Sequence, residues 1–377
     1  MEILNVPQGE FSLSRYPVRK KELLRAWDAA DEYILNYINE NINSDKKLNI
    51  LIINDNFGAL SIPLSPHSVT LWSDSYLTQQ AVIQNAKYNH LDTDNMTFLE
   101  STKRPESSFD LIILKIPKSH ALLEHQLILI KPLFMEKTNL IAAGMAKAIH
   151  TSTLKLFEKY IGDTRTSLAK KKARLIFSQD DPNIKVQKSP FPKPFILEGT
   201  EYTIINHANV FSREKLDIGT RFFLQYLPQS EKYKTIIDLA CGNGVIGLLA
   251  AKKNPLAKVL FIDESFMAVE SAKENFANAK DINNKAEFTV NDCLAEVEKN
   301  SADLILNNPP FHQNNAVGDE VAWQMFSQSL AVLKPGGELW VIGNRHLAYH
   351  IKLKKLFSNC ETIAANKKFV ILKSVKK

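Results

Sequence analysis

The chain has 377 residues, enough for two domains of ordinary size, and 45% of them are hydrophobic, so a substantial core is available. No apolar run approaches the ~20 residues of a membrane span, and Met1-Glu2-Ile3-Leu4 carries no basic-then-apolar signal. The three cysteines, Cys241, Cys293 and Cys360, are odd in number and lack metal-type spacing, which points to a reduced, cytoplasmic protein without a structural metal.

In chain order, Asn49 to Ile53 reads as a strand running into Asn54-Asp55-Asn56-Phe57-Gly58. A second strand, Val69 to Ser73, ends at Asp74, and helical residues follow as far as Asn85. Phe109-Asp110 opens a third apolar run that ends Leu114-Lys115-Ile116-Pro117-Lys118. Ala169-Lys170-Lys171-Lys172-Ala173-Arg174-Leu175-Ile176 is strongly basic. The net charge is +6, but residues 101–200 alone carry +8 and residues 351–377 carry +7, the latter including Lys352, Lys354 and Lys355. Clusters of this kind are an electrostatic footprint for a phosphate backbone, although a solvated helix face has the same composition. Asp180 to Pro194 is polar and rich in proline, as in a linker or hairpin surround. Asn206 to Arg213 follows it, and Leu216 to Phe223 has a helical start at which Asp217 reads as a cap residue.

The second half repeats the first with more of its chemistry intact. Thr235 to Leu239 is a strand that enters Ala240-Cys241-Gly242-Asn243-Gly244-Val245-Ile246-Gly247 and then an apolar helix. Gly-x-Gly-x-x-Gly at a strand-to-helix turn lets the backbone approach a ligand. Asp238, just before the glycines, would repel a pyrophosphate but suits a cationic amino-acid group. The next strand, Val259 to Ile262, ends at Asp263, placed to hold ribose hydroxyls. A third, Ala286 to Val290, ends at Asn291-Asp292, where a carboxylate accepts from an adenine amine. Singly, Asp263 and Asp292 read equally as helix caps or turn residues. Together they describe a ligand with an amino-acid end, a ribose and an adenine, namely S-adenosylmethionine.

Asp303 to Leu306 is a buried strand leading into Asn308-Pro309-Pro310-Phe311-His312. The prolines fix φ and keep the preceding residue extended. The Asn308 amide oxygen and the Pro309 carbonyl can then accept both hydrogens of a planar amine, while Phe311 stacks on its base. This arrangement favours charge build-up on an exocyclic nitrogen and needs no side-chain base. His312 reads either as a base or as a residue that orients substrate or caps the next segment.

The two halves align over many segments. Asp110 to Lys115 spans the same interval as Asp303 to Asn308, with Lys-Ile-Pro-Lys in place of Asn-Pro-Pro-Phe. The expectation is an α/β chain of two tandem Rossmann-like class I methyltransferase domains, the N-terminal one degenerate. The expected boundaries are 1–178 for the degenerate domain, 179–205 for the linker or hairpin and 206–377 for the catalytic domain. Two unrelated α/β halves are the alternative. Lys115 and Lys118, at the former site, join Lys170, Lys171, Lys172 and Arg174 as candidate RNA contacts.

These motifs, with Ala26 to Tyr33, His150 to Leu154, Asn206 to Arg213 and Asn344-Arg345-His346-Leu347, make the chain resemble the tandem-domain bacterial ribosomal RNA guanine-N2 methyltransferases over nearly its full length. The glycine and Asn-Pro-Pro-Phe motifs are shared with many amine methyltransferases, so the other segments and the length carry the resemblance. It implies methyl transfer from S-adenosylmethionine to N2 of a guanine in large-subunit (23S) rRNA. By position, the cofactor role falls on Asp238, Gly242, Gly244, Asp263 and Asp292, and the amine role on Asn308, Pro309, Pro310 and Phe311. Ala240, where many relatives have glycine, is a local departure. The target guanine must be unpaired or flipped out, which favours protein-free RNA over an assembled subunit. Competing readings are a small-subunit (16S) rRNA guanine-N2 enzyme, a DNA adenine or protein glutamine methyltransferase, and a non-catalytic RNA-binding protein.

Overall fold

The computed structural model describes residues 2–18, 22–42, 46–310 and 316–377. The chain divides into two compact units, Met1–Phe191 and Pro192–Lys377. In the first, a hairpin of β1 (Glu2–Val6) and β2 (Gly9–Leu13) precedes helix α1 (Ala29–Asn41). The sheet then uses β3 (Asn49–Ile53), β4 (Ser68–Ser73), β5 (Met96–Glu100), β6 (Leu111–Lys115), β7 (Asn139–Met145), β8 (Thr164–Thr166) and β9 (Ala173–Ser178). Helices α2 (Tyr76–Tyr88), α3 (His120–Ile130) and α4 (Thr151–Tyr160) connect them.

The second unit repeats this plan. Hairpin β10 (Lys193–Ile196) and β11 (Thr203–Asn206) precedes α5 (Ile218–Leu224). There follow β12 (Thr235–Leu239), α6 (Val245–Lys253), β13 (Lys258–Asp263), α7 (Phe266–Asn278), β14 (Ala286–Val290) and β15 (Ala302–Asn307). The unit ends with α8 (Ala316–Val332), β16 (Leu333–Asn344), α9 (Tyr349–Phe357), β17 (Glu361–Ala365) and β18 (Phe369–Val375).

The strand orders, β5-β4-β3-β6-β7-β9-β8 and β14-β13-β12-β15-β16-β18-β17, are the same order counted from each unit's first sheet strand. The first five strands of each sheet run parallel, and β9 and β18 insert antiparallel. Parallel strands are covered on both faces, so they read as continuous apolar runs. Alternate residues then serve separate cores: Ile50 and Ile52 one, Leu51 and Ile53 the other, as Ile236 is divided from Ile237 and Leu239. Each of these fully buried side chains contributes about 1.5–3 kcal/mol.

Side-chain clamps repeat as well. The α2 amide Asn85 donates through Nδ2 to the Ser14 and Phe57 carbonyls (2.9 and 2.8 Å) and accepts from Ser14 N (3.0 Å). Asn275 on α7 donates to the Ile205 and Asn243 carbonyls (3.0 and 2.9 Å) and accepts from Ile205 N (2.7 Å). Each amide ties a hairpin to the turn after the first sheet strand. The chain divides inside the proline-rich stretch expected to be a linker, and the 193–206 hairpin packs on α7.

Two details differ from the sequence alignment of the halves. The last residue of β4 is Ser73, so Ser73 and not Asp74 stands where Asp263 ends β13. After β3 the chain makes a series of turns over 56–66, where the second unit has α6. Pro63 and Pro66 remove the N–H groups that a helix would need there.

Candidate active site

The turn after β12 has left-handed backbone at Ala240 (φ 58°), Gly242 (φ 54°) and Gly244 (φ 78°) before α6 begins. A Cβ on Gly242 would meet nothing within 4 Å, so this backbone faces open space. One on Gly244 would lie 2.7 Å from the Ala272 Cβ, and one on Gly247 would strike the Phe261 ring. The pattern therefore divides its labour: the first glycine leaves room for a ligand, and the other two let α6 approach α7 and β13.

Asp238 is fully buried in β12. Its Oδ2 accepts from Gly247 N (2.7 Å), and its Oδ1 has no partner. Burial, reinforced by the Asp263 carboxylate, raises it from 3.8 to about 8. A cationic group brought to Oδ1 would satisfy that atom and favour the ionised form. Asp263 Oδ2 accepts from Gly242 N (3.0 Å) and Oδ1 from Ser265 N (3.0 Å), which fastens the glycine turn to the second strand. Ser265, not Asp263, is the N-cap of α7. Asp292 is buried, with Oδ1 accepting from Gln324 Nε2 (2.8 Å). Its neighbour Asn291 is buried with neither amide atom partnered.

At the end of β15, Asn307 donates through Nδ2 to the Leu239 carbonyl (2.9 Å), binding that strand end to β12. Asn308 donates through Nδ2 to Thr220 Oγ1 (3.0 Å), while its buried Oδ1 has no partner. Pro309 is buried and Pro310 exposed. Phe311 and His312 lie outside the described residues. The sheet brings the carboxyl ends of β14, β13, β12 and β15 side by side: Leu239 pairs with Ile262 and Asn307, and Asp263 with Val290. This edge is the topological switch point of the sheet, where α/β proteins bind ligands. It gathers Asp238, Gly242, Gly244, Asp263, Asp292 and Asn308.

Among the described residues, eight buried side-chain polar atoms lack a hydrogen-bond partner; seven belong to the second unit and only Gln8 Oε1 to the first. Unpaired buried polar atoms are costly, and five of these seven, on Asp238, Asn291, Asn307 and Asn308, lie at or just past the carboxyl ends of β12, β14 and β15. Asn291, Asn307 and Thr220 carry no motif of their own. The register of the Asn-Pro-Pro strand gives some warning of Asn307. Thr220 is signalled only by the Asp217-Ile218-Gly219-Thr220 helix start, and Asp217 does cap α5, accepting from Thr220 N (3.0 Å).

The candidate RNA cations divide by accessibility. Lys115 must be withdrawn: it is buried, with Nζ 2.5 Å from Asp31 Oδ1 and 2.9 Å from Asp28 Oδ1. Burial alone would lower its ammonium, but Asp31 and Asp28 together hold it above the usual range. Lys118 is exposed. Lys170 to Ala173 closes a two-residue turn with Lys171 (φ 49°) and Lys172 (φ 64°) left-handed at its tip. These lysines and Arg174 are exposed, Lys171 pairing with Glu32 (2.7 Å). On α9, Lys354 and Lys355 are exposed and Lys352 is half-buried over the Tyr349 ring. No helix among the described residues is long and apolar enough to cross a membrane, and they contain no cluster of three or more His, Cys, Asp or Glu able to hold a metal.

Two copies of this sheet, one retaining a glycine turn and acidic strand ends, define a tandem Rossmann-like methyltransferase of class I. Residues 1–182 match the RLMG N-terminal domain family and residues 201–373 the methyltransferase small domain family. The chain belongs to the ribosomal RNA large subunit methyltransferase G family. It is 48% identical to the protein of that name from Aeromonas salmonicida (strain A449), covering 100% of this chain and 99% of the relative. The Pseudoalteromonas translucida protein of that name is 46% identical over 97% of this chain and 96% of its own length. The fold is shared with a T. thermophilus 16S rRNA N2 methyltransferase solved with AdoMet and guanosine, at TM-score 0.77 and 20% identity over 100% of this chain and 98% of that one.

Proposed function

We infer that the second unit transfers a methyl group from S-adenosylmethionine to the exocyclic N2 amine of a guanine in 23S rRNA, in the cytoplasm, with a preference for protein-free RNA. The observation that carries the amine chemistry is the Asn308 amide: its NH2 is held by Thr220 and its Oδ1 is buried and unpartnered. That oxygen is an acceptor reserved for a donor from outside the chain. Full-length likeness to large-subunit enzymes favours 23S over 16S rRNA, and over DNA or a protein glutamine.

The residues fit the cofactor. Asp238 Oδ1 takes the cationic amino-acid end, Gly242 leaves space beside the turn, Asp263 meets the ribose and Asp292 the adenine. When bound, S-adenosylmethionine supplies a methyl on a sulfonium; guanine N2 gains it, sulfur keeps the C–S electron pair as a thioether, and the nitrogen releases a proton to water. Asn308 holds the amine so that its lone pair is in line, and the Pro309–Pro310 segment keeps Asn308 extended. Phe311 is assigned the stacking role by the sequence motif.

In the first unit, Lys118 and the Lys170-Lys171-Lys172-Arg174 turn contact the phosphate backbone, and Lys352, Lys354 and Lys355 do so on the second. The proposed functional domains are 1–178 and 206–377; within 179–205 between them the chain divides after Phe191, and the hairpin that starts at Lys193 goes with the second unit. The test is radiolabel transfer from tritiated S-adenosylmethionine to separated, protein-free large- and small-subunit rRNA, followed by nucleoside analysis. Label in 2-methylguanosine from large-subunit RNA alone is the expected result. Label in small-subunit RNA, or in neither, overturns the substrate assignment.

A further inference from the structure

Asn308 works only if its amide presents oxygen, not nitrogen, to the target amine. A side-chain amide has two nearly isosteric ends, so something must fix its orientation. The described partner of Asn308 Nδ2 is Thr220 Oγ1, at 3.0 Å and 88 residues away in sequence. Thr220 is itself nearly buried and sits in the first turn of α5. Asp217 caps that turn by accepting from Thr220 N (3.0 Å). Gly219 lets the turn lie against the sheet: a Cβ there would come within 3.1 Å of the Phe369 ring and 2.9 Å of Asp217 Oδ2.

The first unit keeps the same geometry with other chemistry. Asp28 caps α1, Ala30 occupies the position of Gly219, and Asp31 that of Thr220. Lys115, at the position of Asn308, reaches Asp31 at 2.5 Å. Contact between this helix turn and the end of the fourth parallel strand is therefore a fixed feature of both units, and its side chains decide what the strand end presents.

We propose that Thr220 is a positioning residue for methyl transfer: by accepting from Asn308 Nδ2 it locks the amide with Oδ1 toward the substrate amine. This rests on the reading of Asn308 as the amine acceptor. Without the hydroxyl, Nδ2 loses its partner, the amide rotates more freely, and the population with oxygen facing the amine falls. The step affected is alignment of the nitrogen, so the cost falls on kcat more than on cofactor binding.

The experiment compares Thr220→Val, which keeps the shape but not the hydroxyl, with Thr220→Ser, which keeps the hydroxyl. The measurements are kcat and KM on protein-free 23S rRNA, S-adenosylmethionine affinity by calorimetry, and melting temperature; Thr220→Ala replaces Val if that variant does not fold. Thr220→Val is expected to lower kcat about tenfold to a hundredfold, with KM, cofactor affinity and melting temperature little changed. Thr220→Ser is expected to restore most of the loss. The proposal falls if Thr220→Val keeps wild-type kcat, if Ser and Val lose equally, or if the loss is in cofactor affinity alone. Asn308→Ala separates the two claims: a dead Asn308→Ala beside an active Thr220→Val removes only the Thr220 role. An active Asn308→Ala removes the reading of the site itself.

Discussion

At corresponding strand ends, one unit holds Asn308 against Thr220 and the other holds Lys115 against Asp31 and Asp28. In the second unit an acceptor is left over; in the first, every named group is consumed within the chain. The glycine turns differ in the same sense. Gly242 faces open space beside a buried, half-satisfied Asp238. In the first unit Ile52 stands in the place of Asp238, and Asp55 Oδ2 accepts from Leu60 N (3.2 Å), Ser61 N (2.8 Å) and Ser61 Oγ (2.6 Å). Degeneration here did not leave an empty site. It closed one by supplying internal partners for the groups that ligands would otherwise meet.

The sharpest way to break this comparison is to substitute the paired positions. Asn308→Ala is expected to reduce methyl transfer about 10²–10³-fold, measured as labelled 2-methylguanosine, while S-adenosylmethionine still binds. Lys115→Ala is expected to act on folding instead. It strands two carboxylates, one fully buried, and should destabilise the first unit by about 3–5 kcal/mol in a denaturant titration. Replacing all three charges, as in Lys115→Met with Asp31→Leu and Asp28→Asn, should recover much of that loss. A Lys115→Ala chain of wild-type stability with weakened RNA affinity would restore Lys115 to the RNA surface.

Asp238 gives a pH test. Its folded value of about 8 lies above the ordinary 3.8, so the folded protein prefers the protonated form. The stability this group contributes is whole below 3.8 and is withdrawn as pH rises through about 8. Asp238→Asn should flatten the fall of melting temperature across that window in the cofactor-free protein and weaken S-adenosylmethionine binding. An unchanged slope would place the titration elsewhere.

Smaller effects are expected at the surface and the turns. Lys170→Ala with Lys171→Ala and Lys172→Ala should weaken RNA binding and reduce the slope of log affinity against log salt by up to about 2. An unchanged slope would take the turn off the RNA. Ala240 (φ 58°) and Asn54 (φ 64°) occupy the same left-handed position after the first sheet strand of each unit. Asn tolerates that region better than Ala. Ala240→Gly should therefore stabilise by about 0.4–1 kcal/mol in thermal unfolding, whereas Asn54→Gly should destabilise, since it removes the amide's bonds to the Lys115 carbonyl (3.0 Å) and to the buried Gln126 side chain (3.0 and 2.9 Å). An equal gain at both positions would show that the side chain there does not matter.

Much of this was legible in the sequence because it is local. Apolar runs such as Leu111 to Leu114 and Leu304 to Leu306 specify buried parallel strands, and the interval from Asp110 to Lys115 matches that from Asp303 to Asn308. The helix that reaches Asn85 was legible as a run of residues, although the clamp its amide makes on the hairpin, and the matching one at Asn275, were not. The strand from Val69 to Ser73 was legible as a strand with an acidic end, but only the pairing shows that Ser73, not Asp74, stands where Asp263 ends its strand, because one residue of register is invisible until strands pair.

Side-chain partnership is what only the tertiary structure decided. From its sequence, Lys115 is one more cation in a basic stretch; packing sets it against Asp31, 84 positions away, and makes it a buried structural charge. From its sequence, Thr220 is a helix-start residue; packing sets it against Asn308. The sequence by itself determined the repeated strands, the glycine turn and the Asn-Pro-Pro segment, since those depend on periodicity and on the backbone freedom of neighbouring residues. Which polar atoms find partners and which remain open depends on how distant elements pack, and here that difference separates the two units.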